Sequence, residues 1–305
     1  MTAREAHTAA SAGRVSSRAR DYFALTKPKV VSLIMFTAIV GMFLAVPGFP
    51  PAAALFWGTI GIALAASSAA AINHVLDARI DAEMSRTRMR PLPRGAVSEA
   101  YALSFAFVLG AGSMLVLALL VNALTAVLTF FSIIGYAIIY TVWLKRATPQ
   151  NIVIGGAAGA APPVLGWMAV TGAISPDALL LFLIIFAWTP PHFWALAIAR
   201  REEYARVGIP MLPVTHGVAY TKQFIWYYTV LLSVITVLPF VTGMAGYFYL
   251  AAAIVLDGLF LRHAWMLRQS DRADLPMRVF RFSINYLALL FAAFLVDHYL
   301  PRALF

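Results

Sequence analysis

The stretch GIALAASSAAAINHVLDARID, residues 61 to 81, closes a long apolar segment with three polar side chains at intervals of four. No Asp, Glu, Lys or Arg occurs from Val30 to Leu76, and the first acids after this segment are Asp77 and Asp81. Crossing a bilayer takes roughly 20 helical residues. The segment therefore predicts two membrane-spanning helices, the second of which ends in these polar side chains.

Segments without charge recur along the whole chain. Of its 305 residues, 62% are hydrophobic and 12% are charged, and no single soluble core buries that much apolar surface. The segments free of Asp, Glu, Lys and Arg are 30–76, 101–144, 147–175 together with 178–199, 223–256 and 282–296. At roughly 20 residues per crossing, they predict an all-α integral membrane protein with nine transmembrane helices.

The basic residues indicate how the protein lies in the lipid bilayer. Lys and Arg accumulate in cytoplasmic segments, and with the N-terminus inside, all 23 of them except Arg302 fall on the inner side. We therefore expect a cytoplasmic N-terminus, residues 1–28 as a mobile tail, and residues 29–305 as the transmembrane domain. The net charge of +10 then reflects topology and contact with anionic lipid, and no nucleic-acid partner is expected.

The tail also bears on the compartment. It lacks the apolar middle of a secretory signal, and Glu5 and Asp21 interrupt its basic pattern. A bacterial cell inner membrane is thus favoured over a mitochondrial inner membrane. The absence of cysteine excludes disulfides and thiolate metal sites.

Asn73, Asp77 and Asp81 are predicted to form a column on one helix face. Each step of four residues turns only about 40°, and the column is roughly 12 Å long. Stacked acids repel one another unless positive charge lies between them, and Mg²⁺ prefers such oxygen ligands. Two interpretations stay open: a metal site, or a polar helix end capped by arginines of the next loop.

A second pair of acids, Glu202 and Glu203, follows the sixth predicted helix on the same inner side. The first acidic loop also carries Arg86, Arg90 and Arg94 at intervals of four. Carboxylates that hold Mg²⁺, together with arginines, are a typical diphosphate site. The alternatives are a solvated salt-bridge surface, and arginines that serve only to orient the helices.

Four stretches carry a resemblance to a known family. They are NHVLDARIDAEMSRTRMRPLPRG (73–95), YTVWLKRATPQNIVIGGAAGAAPPVLGW (140–167), WTPPHFWALAI (188–198) and EEYARVGIPMLPVTHG (202–217). The sequence resembles the UbiA superfamily of intramembrane prenyltransferases, and within it the branch that farnesylates haem b. The resemblance implies a nine-helix bundle, a Mg²⁺ requirement, and two substrates, farnesyl diphosphate and haem b.

The resemblance also implies roles for individual residues. The implied metal ligands are Asn73, Asp77, Asp81, Glu202 and Glu203. The implied substrate-binding residues are Arg86, Arg90, Arg94, Lys145, Arg146 and His192, and all of these except Arg86, together with Tyr140, are candidates for catalysis. Many superfamily members have two aspartates four residues apart in the second motif, whereas this chain has Ala199 four residues before Glu203.

His192 follows Pro190 and Pro191 inside the sixth helix and is the best candidate to meet haem, either by ligating iron or by a hydrogen bond near the reacting vinyl group. The alternative, which stays open, is a polar side chain that packs in the bundle with its hydrogen bonds satisfied. Aromatic faces stabilise an allylic cation, and the candidates are Tyr136, Tyr140, Trp188, Phe193 and Trp194. Asp257 lies inside the eighth predicted helix, where we expect an interhelical hydrogen bond.

Three other functions are compatible with parts of this pattern. The first is another UbiA-type prenyltransferase, acting on a quinone precursor or chlorophyllide. The second is a secondary transporter with broken helices, and the third is a membrane protein that handles haem without catalysis. Haem A synthase or terminal-oxidase assembly proteins are the expected partners of the haem-farnesylating branch.

Overall fold

The computed structural model describes residues 18–300, and these residues form helices joined by short loops. The α-helices are α1 Arg18–Leu25, α2 Pro28–Leu44, α3 Ala52–Leu76, α4 Ala78–Glu83, α5 Glu99–Leu120, α6 Ala123–Ile134, α7 Lys145–Ala147, α8 Asn151–Ala160, α9 Pro162–Thr171, α10 Pro176–Ala199, α11 Arg201–Arg206, α12 Leu212–Thr215, α13 Gly217–Val241, α14 Tyr247–Gln269 and α15 Leu275–Tyr299. A π-helix, Gly135–Leu144, joins α6 to α7.

The predicted all-helical membrane architecture is confirmed. Within residues 18–300, eight helical segments are long and apolar enough to span a membrane, and the bent pair α1 and α2, which meet at 49°, raises the count to nine. Side chains such as Phe107 and Leu119 on α5 are 75% exposed, as expected for a lipid-facing surface. The protein is therefore a multi-pass membrane protein.

The turns between spans follow from local chemistry. The Asn122 side chain accepts a hydrogen bond from the Thr125 N–H (2.8 Å) and caps α6. Gly172 and Gly243 end α9 and α13 in the left-handed conformation, at φ 68° and 78°, which glycine adopts without a steric penalty. Asparagine and glycine are typical of helix ends, so the sequence predicts breaks at Asn122, in the turn from Thr171 to Asp177 and at Gly243 to Gly246, and the structure confirms all three.

Helices α2 and α9 cross closely because each places a glycine against the other's backbone. A Cβ on Gly166 would lie 2.0 Å from the Ala38 carbonyl oxygen, and one on Gly41 would lie 2.3 Å from the Pro163 carbonyl oxygen. Small residues at such crossings let two backbones approach within a bilayer. The first span is thereby fixed against the broken fifth span.

The N-terminal segment differs from the predicted tail. Residues 1–17 lie outside the described residues, but residues 18–25 form helix α1. Leu25 is fully buried against Ala71 and Ala102 of the bundle, and the Asp21 carboxylate pairs with Arg94. Residues 18–28 therefore pack with the transmembrane domain instead of belonging to a mobile tail.

The α2–α9 crossing predicts a specific stability effect. Gly166→Ala forces a Cβ into the Ala38 carbonyl and should lower the free energy of unfolding by about 1–3 kcal/mol. Thermal unfolding of the purified protein in detergent measures the change. Gly159→Ala in α8 is the matched control, because a Cβ there meets nothing within 4 Å. Equal melting temperatures for the two variants would contradict the crossing.

Candidate active site

The predicted acidic column survives a helix break. Helix α3 ends at Leu76 and α4 begins at Ala78, with Asp77 between them at φ −94° and ψ −1°. The Asp77 N–H still donates to the Asn73 carbonyl (3.0 Å), and the Asp81 N–H donates to the Asp77 carbonyl (2.8 Å). Since these bonds keep helical spacing across the break, the three residues remain in one column, and all three are buried.

Each member of the column has a hydrogen-bond donor from another element. Lys145 Nζ donates to Asp77 Oδ2 (2.7 Å), and Arg90 Nη1 donates to Asp81 Oδ2 (2.5 Å). The Asn73 amide donates to the same Asp77 oxygen (3.0 Å) and accepts from Lys27 Nζ. We name these six residues, Lys27, Asn73, Asp77, Asp81, Arg90 and Lys145, the charged cluster.

The sequence interpretation missed Lys27. Its backbone is left-handed, at φ 50° and ψ 57°, the one non-glycine residue with positive φ among residues 18–300. This conformation is uncommon for a residue with a Cβ, and it concentrates at functional sites. The available signal was a lysine directly before Pro28, at the start of the first span. The turn between α1 and α2 thus brings a third cation to the cluster.

The π-helix brings Lys145 and two tyrosines to the same region. Its wider turns let the Thr141 hydroxyl donate to the Tyr136 carbonyl five residues back (2.8 Å), and the Asn73 amide also donates to Thr141 Oγ1 (3.1 Å). π-Helices are rare and are frequently found at functional sites. Tyr140 stacks on Tyr136 at 5.7 Å and packs on Gly155, where a Cβ would lie 2.1 Å from the ring.

The charged cluster suits a metal ion that is shared with a phosphorylated ligand. Asp77 Oδ1 is buried and has no hydrogen-bond partner among the described residues. No three His, Cys, Asp or Glu side chains within residues 18–300 form a group that could hold a metal by themselves. Mg²⁺ needs only one or two protein carboxylates when phosphate oxygens complete its shell, so the oxygen ligands of Asp77 and Asp81 fit this role.

The second acidic site joins the loop after α4 to α11. Glu203 Oε1 accepts hydrogen bonds from Ser85 Oγ and from Arg200 Nη1, both at 2.9 Å, while Glu203 Oε2 is buried without a partner in the described chain. Burial raises the pKa of Glu203, but these hydrogen bonds lower it more, and the net pKa lies below its ordinary value. Glu202 is exposed. Glu203 is therefore ionised and faces the loop that follows the first acidic column.

The other predicted basic residues make no ion pair with the charged cluster within the described residues. Arg94 pairs with Asp21 of α1, while Arg86 and Arg146 are exposed and make no ion pair with another described residue. Arg86 lies near the buried ring of Tyr204, and burial raises the pKa of that tyrosine. The predicted roles of these arginines in substrate binding stay predictions.

His192 is buried and held between elements. Its imidazole stacks on Trp188 (4.2 Å) and on Phe280 of α15 (4.5 Å), and its Nδ1 lies 2.7 Å from Ser283 Oγ. It precedes Arg200 by eight residues on α10, which places it about 12 Å deeper in the bundle at 1.5 Å per residue. The expected interhelical bond of Asp257 is also confirmed, because that carboxylate accepts from Thr236 (2.7 Å) and Tyr286 (2.6 Å).

Sequence comparison identifies the family. Residues 34–293 match the model of the UbiA prenyltransferase family. The chain belongs to the UbiA prenyltransferase family. Relatives named protoheme IX farnesyltransferase include one from Methylococcus capsulatus, 60% identical over 92% of this chain and 94% of the relative. Another, from Hahella chejuensis, is 58% identical over 93% and 95%. The protein is accordingly an enzyme of the prenyltransferase class.

Solved structures of UbiA proteins share the fold at low sequence identity. A structure of digeranylgeranylglyceryl phosphate synthase superposes with a TM-score of 0.77 at 19% identity, covering 92% of this chain and 99% of the other. A UbiA homologue from Archaeoglobus fulgidus bound to DMAPP and Mg²⁺ gives 0.63 at 16% identity, covering 90% and 99%. Both comparisons confirm the bundle architecture of the family.

The contacts of Glu203 predict a selective loss. Glu203→Gln removes the charge that Arg200 and Ser85 hold, so prenyl transfer should fall about tenfold or more, in the range of a lost charge-assisted hydrogen bond. Steady-state kinetics measures this, with Glu83→Gln as the control, because Glu83 is exposed. Equal activity of the two variants would show that the charge of Glu203 is not needed for prenyl transfer.

The pKa of Glu203 in the folded protein is depressed below 4.5. The stability that this carboxylate contributes should therefore be present at neutral pH and lost as the pH falls through the folded pKa.

Proposed function

We propose that this enzyme transfers the farnesyl group of farnesyl diphosphate to a vinyl group of haem b, with addition of water, to give haem O and diphosphate. The identity of about three residues in five to enzymes named protoheme IX farnesyltransferase, over nearly the whole chain, is the observation that carries the proposal. The charged cluster and the deeper His192 supply groups suited to the two substrates.

The reaction breaks the C1–O bond of farnesyl diphosphate, the π bond of the vinyl group and one O–H bond of water, and it forms one C–C and one C–O bond on the porphyrin substituent. The bond between C1 of the farnesyl group and the diphosphate oxygen breaks, and the electron pair leaves with diphosphate. The π electrons of the vinyl group then bond to C1 and leave a cation on the carbon next to the porphyrin ring. Water adds to that carbon and loses a proton, which completes the hydroxyethylfarnesyl substituent.

The charged cluster is suited to the departing diphosphate. Three cations, Lys27, Arg90 and Lys145, lie around two carboxylates, Asp77 and Asp81. The excess positive charge attracts an anion, and the Lys145 side chain is only 13% exposed, so screening by water is weak. Positioned charges of this kind stabilise a leaving group as its negative charge develops.

Mg²⁺ would be held by Asp77 and Asp81 together with the diphosphate oxygens, and when bound it supplies Lewis-acid neutralisation of the leaving group. The Mg²⁺ found with DMAPP in the Archaeoglobus homologue supports this assignment. Asn73 and Glu203 would complete the polar surroundings. Tyr136 and Tyr140 stack on each other near Asp77 and present π faces to an allylic cation.

The location of the reaction follows from the basic residues. With the N-terminus in the cytoplasm, the charged cluster and the Glu203 site lie at the cytoplasmic face of a bacterial inner membrane. Farnesyl chains and haem both partition into lipid, so each reaches the site from the membrane. The product then passes to a haem A synthase or to terminal-oxidase assembly proteins.

Purified protein incubated with haem b, farnesyl diphosphate and Mg²⁺ tests the function. Mass analysis should show a porphyrin that has gained one farnesyl group and one hydroxyl group, with release of diphosphate. Asp77→Asn keeps the side-chain shape but removes the charge, so turnover should fall about a hundredfold or more. Removing Mg²⁺ with a chelator should stop wild-type turnover, and added Mg²⁺ should restore it. An unmodified porphyrin with wild-type protein would refute the proposal.

Lys27 allows a sharper test, because its position before Pro28 did not by itself assign it to the site. Lys27→Met keeps the length of the chain but removes its charge, so kcat/KM for farnesyl diphosphate should fall about ten- to a hundredfold. Lys29→Met is the matched control, since Lys29 is exposed two residues away. If both variants have the same kcat/KM, Lys27 serves the α1–α2 turn and not the substrate.

A further inference from the structure

The imidazole of His192 is fixed in plane by two aromatic rings. The rings of Trp188 and Phe280 are nearly parallel to it, with interplanar angles of 18° and 25°. The Trp188 Nε1–H donates to the Ser283 carbonyl (2.8 Å), which joins α10 to α15 at the same level. The residue is 7% exposed, so the imidazole has little freedom to rotate.

Ser283 determines which ring nitrogen carries the proton. Its hydroxyl has one hydrogen, and it donates to the Phe280 carbonyl at 2.8 Å. The 2.7 Å contact between Ser283 Oγ and His192 Nδ1 is then a hydrogen bond donated by Nδ1–H. If the Ser283 hydroxyl donated to His192 Nδ1 instead, the hydrogen bond to the Phe280 carbonyl would be lost and the imidazole would carry its proton on Nε2, where no acceptor lies among the described residues. Unpaired N–H groups inside a protein are rarer than unpaired acceptors.

The Nε2 atom is therefore left with a lone pair and no partner. Among the hydrogen bonds of residues 18–300 none involves it, and it is not among the fully buried polar atoms that lack a partner. His74 differs, because both of its ring nitrogens are sealed and unpaired. The open edge of His192 is thus accessible to a molecule in the bundle, whereas the edges of His74 are not.

We propose that Ser283 is a positioning residue, which holds His192 as the Nδ1–H tautomer so that the Nε2 lone pair can ligate the iron of haem. The inference rests on the proposed function, which supplies haem as a substrate. A histidine that ligates a metal typically donates its other ring N–H to an oxygen acceptor, and this bond orients the ring and raises its basicity. The serine hydroxyl, in turn bonded to a helix carbonyl, provides that acceptor.

The direct test is a titration of the purified protein with haem b alone, without farnesyl diphosphate or Mg²⁺. The wild-type complex should show the visible spectrum of histidine-ligated iron, and Ser283→Ala should raise the haem Kd about tenfold and shift that spectrum. Ser283→Thr retains the hydroxyl, so its haem Kd and its visible spectrum should match those of wild type. Ser233→Ala is the control, because this serine also bonds back to its own helix (Thr229 carbonyl, 3.0 Å) and contacts no imidazole.

A second test leaves Ser283 unchanged. His192→Gly opens the site for added imidazoles, and 4-methylimidazole, which keeps an N–H for Ser283, should restore the ligated spectrum. 1-Methylimidazole has the same size, but one ring nitrogen carries the methyl group and the other ligates iron, so no N–H remains for Ser283. It should therefore bind about tenfold more weakly to the haem complex. Equal rescue by the two compounds, or an unchanged spectrum in Ser283→Ala, would overturn the role of Ser283.

These readouts are independent of farnesyl transfer. If the spectra change as expected while no porphyrin is farnesylated, the histidine site stands and the proposed function fails. If farnesyl transfer is observed while the spectra of the Ser283 and His192 variants match wild type, the function stands and the positioning role of Ser283 fails.

Discussion

The need to pair buried carboxylates underlies the arrangement of the charged cluster and of the helix ends around it. Asp77 and Asp81 lie in surroundings of low dielectric, where an uncompensated charge costs several kcal/mol. Lys145 reaches Asp77 from the end of the π-helix, and Arg90 reaches Asp81 from the following loop. These ion pairs draw three separate chain segments to one place.

The same pairing prepares the site for a substrate. A fully neutralised pair of carboxylates would offer nothing to diphosphate, but Lys27 adds a further cation through Asn73. Its left-handed backbone is a strained conformation that the turn between α1 and α2 imposes. Strain of this kind persists where surrounding contacts determine the geometry, and here burial of Leu25 and the Asp21–Arg94 pair hold α1 in place.

Charged and aromatic groups occupy different depths in the bundle. The carboxylates, lysines and arginines of the charged cluster lie at helix ends and in the adjoining turns, where diphosphate and Mg²⁺ can remain partly hydrated. His192 lies eight residues, about two helical turns, from the Arg200 end of α10, and its imidazole stacks on Trp188 and Phe280, where the apolar body of a porphyrin is more stable. The stacked Tyr136 and Tyr140 lie near Asp77. This separation suits a reaction that joins a diphosphate ester to a lipid-soluble ring.

Sequence by itself determined the membrane class, the number of spans, the breaks between them and the acidic column, because hydropathy, turn residues and helical spacing are local properties of the chain. Tertiary structure alone decided that Lys27 joins the column, that Arg94 turns instead to Asp21, and that a π-helix delivers Lys145. It also decided that Ser283, 91 residues from His192, sets the proton on that imidazole. Such contacts depend on which helices pack together, and no spacing within one helix encodes a hydrogen bond between two.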